Sequence, residues 1–512
     1  MELRINTNNM TQDSRIKTAQ NLNKKGEELF NEGKIQEAYD AFIKAVELNP
    51  DYALAKNNLG VFYKHTGQLH KAVKYFLDAL NLDPDNPTIV FNCGKLLEVF
   101  GRFKEAKEIY LSYLNKRYDS DISSSLSDLE KDVLSLAAGK LIRKKPAQNQ
   151  VVFVSDLPRA REAKLAYGLK YAGWKVILLY NKTPTFDADK YCAEAHQYKD
   201  VQQLLRLAFL YSPMVYHVFS CWHFDMAAAL IRNKPGKIVF DDYDVLAGMV
   251  REEIVRSQYP VQMELERFCL ENADGLCCRS METRYAKQKK GYMYSGKSIF
   301  FPEYVWNTYH SIQKNTSGHF NIANVGNLYI DQHYDIDHQR NFHLNLAMRL
   351  SRHNIHSYLY KTNLTDKMAH FVEEVTGGNP YISVKNLSYD AMLKEICQVC
   401  HTGLICAPPH ITSNPDEMYY QAKRDYAIGN KVFDYIDAGM PIIMDSENTF
   451  LFWLIKRYHK VLDYYSFISD VDKYVELIRE YLENSSEERY RSTSALSVTH
   501  HIQRLIRFYE GI

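Results

Sequence analysis

The residues best placed for chemistry open a predicted helix at Asn430. The segment Gly429–Met444, GNKVFDYIDAGMPIIM, predicts that helix followed by a short strand. A helix N-terminus presents unpaired N–H groups at the positive end of its dipole, which suits an anionic group. Lys431, with Lys423 and Arg424 just before the helix, adds cations, and Asp434 lies one turn in. The plain alternatives are a solvated basic loop and a surface acid.

A second group lies earlier in the chain. Asp241, Asp242 and Asp244 close one predicted strand, and three acids so close cannot all be catalytic. His223 and Trp222 fall just past the end of the preceding strand, where a sugar ring stacks on an indole. His217, inside that strand, reads as a satisfied core histidine. Arg159 and Arg161 occupy the first loop, Asp156–Arg161, and suit an anionic group there.

Two further patterns carry no chemistry. Asp-x-Asp triplets at Asp187, Asp242, Asp335 and Asp470 are expected by chance among 62 acids, and none follows a strand as a metal-using site requires, so no metal is expected. Cys397-Gln-Val-Cys400-His401 has the spacing of a haem attachment site. Met392, Ile396, Cys397 and Cys400 instead form one apolar helix face, and haem is rejected.

The elements that must position these residues follow from the pattern after Pro146. Short β-branched runs alternate with amphipathic stretches, which predicts βαβ units and parallel sheets. The first set is 151–155, 175–180, 214–219, 237–241, 275–279 and 298–302. The second is 321–326, 357–361, 381–384, 403–407, 441–444 and 460–462. With a break near 305–318, they describe two Rossmann-like lobes, 150–304 and 319–485, that bind ligands at the carboxyl ends of their strands. Residues 486–512 predict a last helix crossing back to the first lobe.

Before Pro146 the chain repeats itself. Ala38, Ala72 and Ala106 share a 34-residue interval, as do Gly26, Gly60 and Gly94, and Phe42, Phe76 and Tyr110. Gly33, Gly67 and Gly101 keep the same period, and Pro50 and Pro84 follow the first two copies. These residues resemble the tetratricopeptide repeat, three copies within 17–145. Small residues sit where paired helices touch, and large ones fill the space between hairpins. Asp119–Ser127 reads as a polar linker, and Leu129–Lys144 as a capping helix. The fold class is thus a helical array followed by a two-lobed α/β unit. Such an array presents a surface to a protein, or serves assembly into a homo-oligomer.

The C-terminal motif resembles the donor site of family 4-type retaining glycosyltransferases with the GT-B fold. Lys237–Val245, Leu265–Ser280, Phe301–Glu303 and Val325–Asn327 line up with further segments of that family, in order, over about 150–512. The resemblance implies a nucleotide-sugar donor, UDP- or GDP-linked, held by Asn430, Lys431, Arg424, Gly326 and Asn327, with Asp434 on the ribose. It implies an acceptor in the first lobe, where Asp242, Asp244 and His223, at the strand ends, are the candidate catalytic residues. Two family features are missing: Tyr426 stands where a second acid is usual, and no basic residue follows Gly326 until Arg340. The readings are therefore transfer to a protein docked by the repeats, transfer to a polysaccharide or lipid-linked glycan, or a degenerate binding and scaffold protein.

Composition narrows the field. A formal charge of +1 gives no reason to expect nucleic acid or a membrane surface as partner. No apolar run is long enough to span a bilayer, and the N-terminal segment lacks the apolar core of a secretory signal. Nine scattered cysteines suit reduced thiols, and a cytoplasmic location is expected.

Overall fold

The computed structural model describes residues 11–66, 68–141, 146–246, 260–294, 296–306, 318–326, 342–361, 365–405, 429–446, 449–485 and 493–512. Three helical hairpins come first: α1 (Gln12–Asn31) with α2 (Ile35–Leu48), α3 (Ala53–His65) with α4 (Leu69–Leu82), and α5 (Pro87–Val99) with α6 (Phe103–Leu114). The repeated glycine has a concrete cause. A Cβ built on Gly26, Gly60 or Gly94 would lie 2.5, 2.6 and 2.2 Å from the ring of Phe42, Phe76 and Tyr110. In each copy the aromatic ring of the second helix seats directly on the backbone of the first.

The expected linker is helix. α7 runs Ser120–Leu141 without a break at Ser127. Asp119 caps it, its carboxylate accepting from the N–H groups of Asp121 and Ile122, both at 3.0 Å. Ile122 and Leu129 then fall on one face and are fully buried. The serines had masked that 3–4 spacing.

The first lobe comprises β1 (Ala147–Ser155), α8 (Ala160–Tyr171), β2 (Lys175–Tyr180), α9 (Ala188–Tyr191), β3 (Glu194–Gln197), α10 (Val201–Leu210), β4 (Pro213–Ser220), α11 (Asp225–Asn233), β5 (Ile238–Asp242), α12 (Pro260–Asn272), β6 (Gly275–Cys278), α13 (Glu282–Lys290) and β7 (Lys297–Phe300). Its sheet is parallel, in the order β3-β2-β1-β4-β5-β6-β7. The edge strand β3, Glu-Ala-His-Gln, is not predicted by the sequence, because a half-buried four-residue edge carries no strong apolar pattern.

The second lobe comprises β8 (Phe320–Val325), α14 (Phe342–Ser351), β9 (Ile355–Tyr360), α15 (Asp366–Thr376), β10 (Ile382–Lys385), α16 (Tyr389–Val399), β11 (Thr402–Ile405), α17 (Asn430–Asp437), β12 (Ile442–Met444), α18 (Thr449–Lys456), β13 (Val461–Asp463), α19 (Tyr464–Ser469) and α20 (Val471–Asn484). This parallel sheet has the order β10-β9-β8-β11-β12-β13. All twelve strands expected from the sequence are present. Cys397 and Cys400 are buried at the end of α16, and both rank among core residues.

The last helix, α21 (Val498–Gly511), lies against α8: a Cβ on Gly168 would approach Val498 and Ile502 at 3.0 and 3.1 Å. Tyr509 of α21 reaches into the first sheet and meets His217 at 2.5 Å. The array is fused to the first lobe rather than tethered to it. A Cβ on Gly101 would lie 2.8 Å from Val201 of α10, and one apolar cluster runs from Phe42 and Phe76 through Phe100 to Leu204 and Ala228. Another cluster joins the lobes, with Phe153 and Trp306 on one side and Tyr360, Val432 and Phe433 on the other. No described helix is long and apolar enough to cross a membrane.

Candidate functional site

In each sheet the strand order reverses beside the first strand, and the crevice beyond the carboxyl ends there is where parallel sheets bind ligands. In the second lobe that crevice lies past Val325 and Ile405. Gly326 follows β8 with φ +147°, and its N–H donates to the Tyr360 carbonyl at 3.0 Å. A Cβ at Gly326 would fall 2.0 Å from Lys431 Nζ. The ammonium group of Lys431 thus fills the space a side chain would take, and the positive φ favours glycine there.

Lys361 follows β9, in register beside Gly326, and is almost wholly buried. Its Nζ donates to Asn324 Oδ1 at 2.8 Å, and Asn324 Nδ2 meets His343 Nδ1 at 3.2 Å. Burial pushes the His343 imidazole down to about 3, with Lys361 and Lys431 adding to the effect. His343 is therefore neutral at pH 7, and both ammonium groups act on it, Lys431 from above Gly326 and Lys361 from the end of β9. The sequence reading missed Lys361, which ends a strand instead of following a glycine; its strand-terminal position was the available signal.

α17 is held in place by Tyr435. Its hydroxyl accepts from Val325 N–H at 2.9 Å and donates to the Ala323 carbonyl at 3.2 Å. Its ring lies on Gly403, where a Cβ would come within 2.2 Å. Gly429 is the N-cap and Asn430 the first residue of the helix. Arg424 and Asn327, expected to hold the donor, lie outside the described residues, as do Lys423, Tyr426 and Arg340.

Asp434 sits at the seam between lobes. Lys164 of α8 donates to its Oδ1 at 3.0 Å and Tyr389 OH to the same atom at 2.6 Å. Lys164 also lies 3.6 Å from Glu303. Burial alone would lower the lysine's pKa, but Asp434 and Glu303 outweigh it, and the ammonium stays charged. The carboxylate that the family resemblance places on a ribose is here the counterion of a lysine from the other lobe.

The first-loop arginines divide. Arg161 is buried and corrects the expectation of an anion-binding loop: it donates to Asp241 Oδ2 at 3.0 and 2.8 Å and to the Phe301 carbonyl at 2.9 Å, because α8 turns it inward. Arg159 stays exposed. His217 Nε2 lies 3.2 Å from the same Asp241 oxygen, and burial pushes its pKa down, so it is the core histidine the sequence suggested. Burial alone would raise Asp241, yet Arg161 and His217 hold it down to about 2. His217, Asp241 and Cys277 have metal-ligand spacing, but the guanidinium of Arg161, 3.6 Å from Cys277 Sγ, already supplies the cation there.

Asp242 points to the opposite face of β5. It is nearly fully buried, and neither of its carboxyl oxygens has a hydrogen-bond partner among the described residues. Burial, then the nearby Glu266 and Glu282, push its pKa well up, so it holds its proton to a higher pH than an ordinary carboxyl. Asp244 takes the Trp222 indole N–H at 3.4 Å and Arg279 Nη2 at 3.2 Å. Trp222 itself has φ +67°, a left-handed backbone that is strained for so bulky a residue. This turn leaves His223 on the wall of a cavity of about 220 Å³ at the carboxyl ends of β1 and β4, together with Ser155, Asp156, Lys182 and Ser220. The structure thus brings Gly326, Lys431 and the α17 N-terminus together, and separately His223 with the first-lobe crevice. It does not bring Asp242 to either.

A helical repeat array followed by two facing Rossmann-like lobes is the GT-B arrangement joined to a tetratricopeptide array. Residues 19–52 and 53–86 each match the tetratricopeptide repeat family. No curated protein matches the chain. Among solved structures it is similar to a mutant O-GlcNAc transferase of Thermobaculum terrenum, at 12% identity and TM-score 0.40, over 98% of both chains. It is also similar to sucrose-phosphate synthase of Thermosynechococcus elongatus, at 12% identity and TM-score 0.48, over 71% of this chain and 100% of that one. Its array is similar to the Sgt2 repeat domain of Aspergillus fumigatus, at 19% identity and TM-score 0.23, over 25% of this chain and 86% of that one.

Proposed function

We propose that this protein is a retaining, metal-independent glycosyltransferase of the family 4 type, moving a sugar from a UDP- or GDP-linked donor to an acceptor protein docked by the repeats. The observation that carries the reading is the Lys431 ammonium group in the space above Gly326, at the opening of α17, with the buried Lys361 near enough that both lysines depress His343. As the bond from sugar to diphosphate breaks, negative charge grows on the leaving oxygens. Two ammonium groups and the N–H groups of a helix N-terminus stabilise that charge most in the transition state. Asn430 and Arg424 complete the donor side in this reading. Lys361 takes the part of the basic residues missing after Gly326 and Asn327. On the acceptor side, His223 lines the first-lobe crevice, and Asp244 sets the turn that places it.

The test is thermal shift and donor hydrolysis with a panel of UDP- and GDP-sugars, on the intact chain and on Lys361→Ala and Lys431→Ala. Each substitution should weaken nucleotide binding at least tenfold, about 1.4 kcal/mol. No shift with any nucleotide sinks the proposal, and so does a shift that neither substitution reduces. Acceptor capture by the full chain, with proteins and with polysaccharide or lipid-linked glycans, separates the acceptor classes. The ion pair on Asp434 favours a second reading: a binding protein that holds nucleotide without turnover. A shift with no hydrolysis or transfer selects it.

A further inference from the structure

A cavity of about 430 Å³ opens at the seam between the lobes, apart from both crevices. Tyr167 and Tyr171 of α8, Tyr191 of α9 and Trp306, which follows the first lobe, supply aromatic walls, with Lys190 and, from the second lobe, Asp390. Tyr167, Tyr191 and Trp306 pack on one another with centroids 5.1 to 6.5 Å apart. Tyr171 is 72% exposed, an unusual position for an aromatic ring on a helix that buries its other face.

The chemistry of the walls selects the ligand. An aromatic box favours a cation, but Lys170 and Lys190 both line this one, and their ammonium groups repel a cation. Lys170 is itself tied to the Lys190 carbonyl at 2.8 Å, which fixes that side of the cavity. The three packed rings are inclined at 88°, 57° and 37° to one another, so no parallel pair is present to sandwich a flat base. A puckered sugar ring fits such tilted faces: its C–H groups lie on the electron-rich ring surfaces while its hydroxyls donate to Asp390 and accept from Lys190. The volume accommodates about two sugar rings, within the range of small-molecule sites.

We propose that this cavity is a carbohydrate-binding subsite, distinct from the donor crevice, that holds one or two sugar units of a glycan. Its wall touches the donor helix through two hydrogen bonds. Trp306 Nε1 donates to Tyr389 OH at 3.4 Å, and Tyr389 OH donates to Asp434 at 2.6 Å. A glycan seated there lies alongside the helix that carries Lys431. The proposal goes beyond the transferase reading, since a non-catalytic protein would bind sugar by the same walls.

The test uses the full chain with chitotriose, maltotriose and trigalacturonate, followed by saturation-transfer NMR and tryptophan fluorescence. At least one trisaccharide should bind saturably, and Tyr171→Ala and Lys190→Ala should each weaken it at least tenfold. Both side chains are at the surface, so their truncation leaves the fold intact. The UDP and GDP thermal shifts of these variants should match the unmodified chain, which separates this site from the donor crevice. Saturable binding of none of the three overturns the proposal. Binding that both variants retain, or that UDP competes away, overturns it as well.

Discussion

Replacing Lys164 by Met tests whether the two lobes are locked through their charges. The ammonium group is buried and shared by two carboxylates, Asp434 at 3.0 Å and Glu303 at 3.6 Å. Methionine keeps the length and apolar stem of the side chain, so the packing term is small. What remains is buried negative charge without its cation, and breaking such a pair costs about 3 to 5 kcal/mol. Glu303 keeps Arg161 at 3.5 Å and Asp434 keeps the Tyr389 hydroxyl, which places the expected loss at the lower end, about 3 kcal/mol. Asp434→Asn removes the charge yet still accepts from Tyr389, and should cost about 1 to 2 kcal/mol. The double variant should recover part of the sum, because each change removes the other's unpaired partner. Urea denaturation followed by tryptophan fluorescence reads all three. A loss below about 1 kcal/mol for Lys164→Met, or strict additivity, would refute the argument that this pair holds the seam. If the lock competes with a ribose for Asp434, Lys164→Met should also change nucleotide affinity at a fixed Lys431 site.

Two other outcomes follow from the same geometry. Burial, then Glu266 and Glu282, raise the folded pKa of Asp242 well above the unfolded value of about 3.9. A raised folded pKa costs stability as pH rises above the unfolded value, so Asp242→Asn should stabilise the protein at pH 7 and lose that advantage below about pH 4; destabilisation at pH 7 would show a charged, paired acid instead. In the array, Gly94→Ala gains about 1 kcal/mol of helix propensity, but its Cβ would lie 2.2 Å from the buried Tyr110 ring, whose hydroxyl is fixed on Glu98 at 2.7 Å. Overpacking of about 1 to 3 kcal/mol should win, and a melting temperature that rises by calorimetry would contradict it.

Repeats and strands were legible because each answers to a local rule. Gly26, Gly60 and Gly94 recur because a ring must seat on each, and that need repeats with the period. The β-branched runs announce buried parallel strands because both faces of such a sheet are apolar. Where the local pattern was weak, the reading failed: β3 is a polar edge strand, and the serines of α7 masked Asp119, Ile122 and Leu129. Lys431 and the opening of α17 were legible as donor-site candidates from one motif, and Gly326 from a second, Val325–Asn327. Lys361 was not, since nothing adjacent in the chain connects it with Gly326.

The sequence by itself determined the architecture: a three-hairpin array, two parallel sheets, and a helix whose N-terminus faces a strand end. Tertiary structure alone decided which charges meet. Arg161 reaches Asp241 across 80 residues and Lys164 reaches Asp434 across 270. Those pairings depend on which side of a helix turns toward which sheet, and on how closely two lobes approach. Periodicity fixes the face of an element that is buried, but what stands opposite that face is set only when separate elements pack.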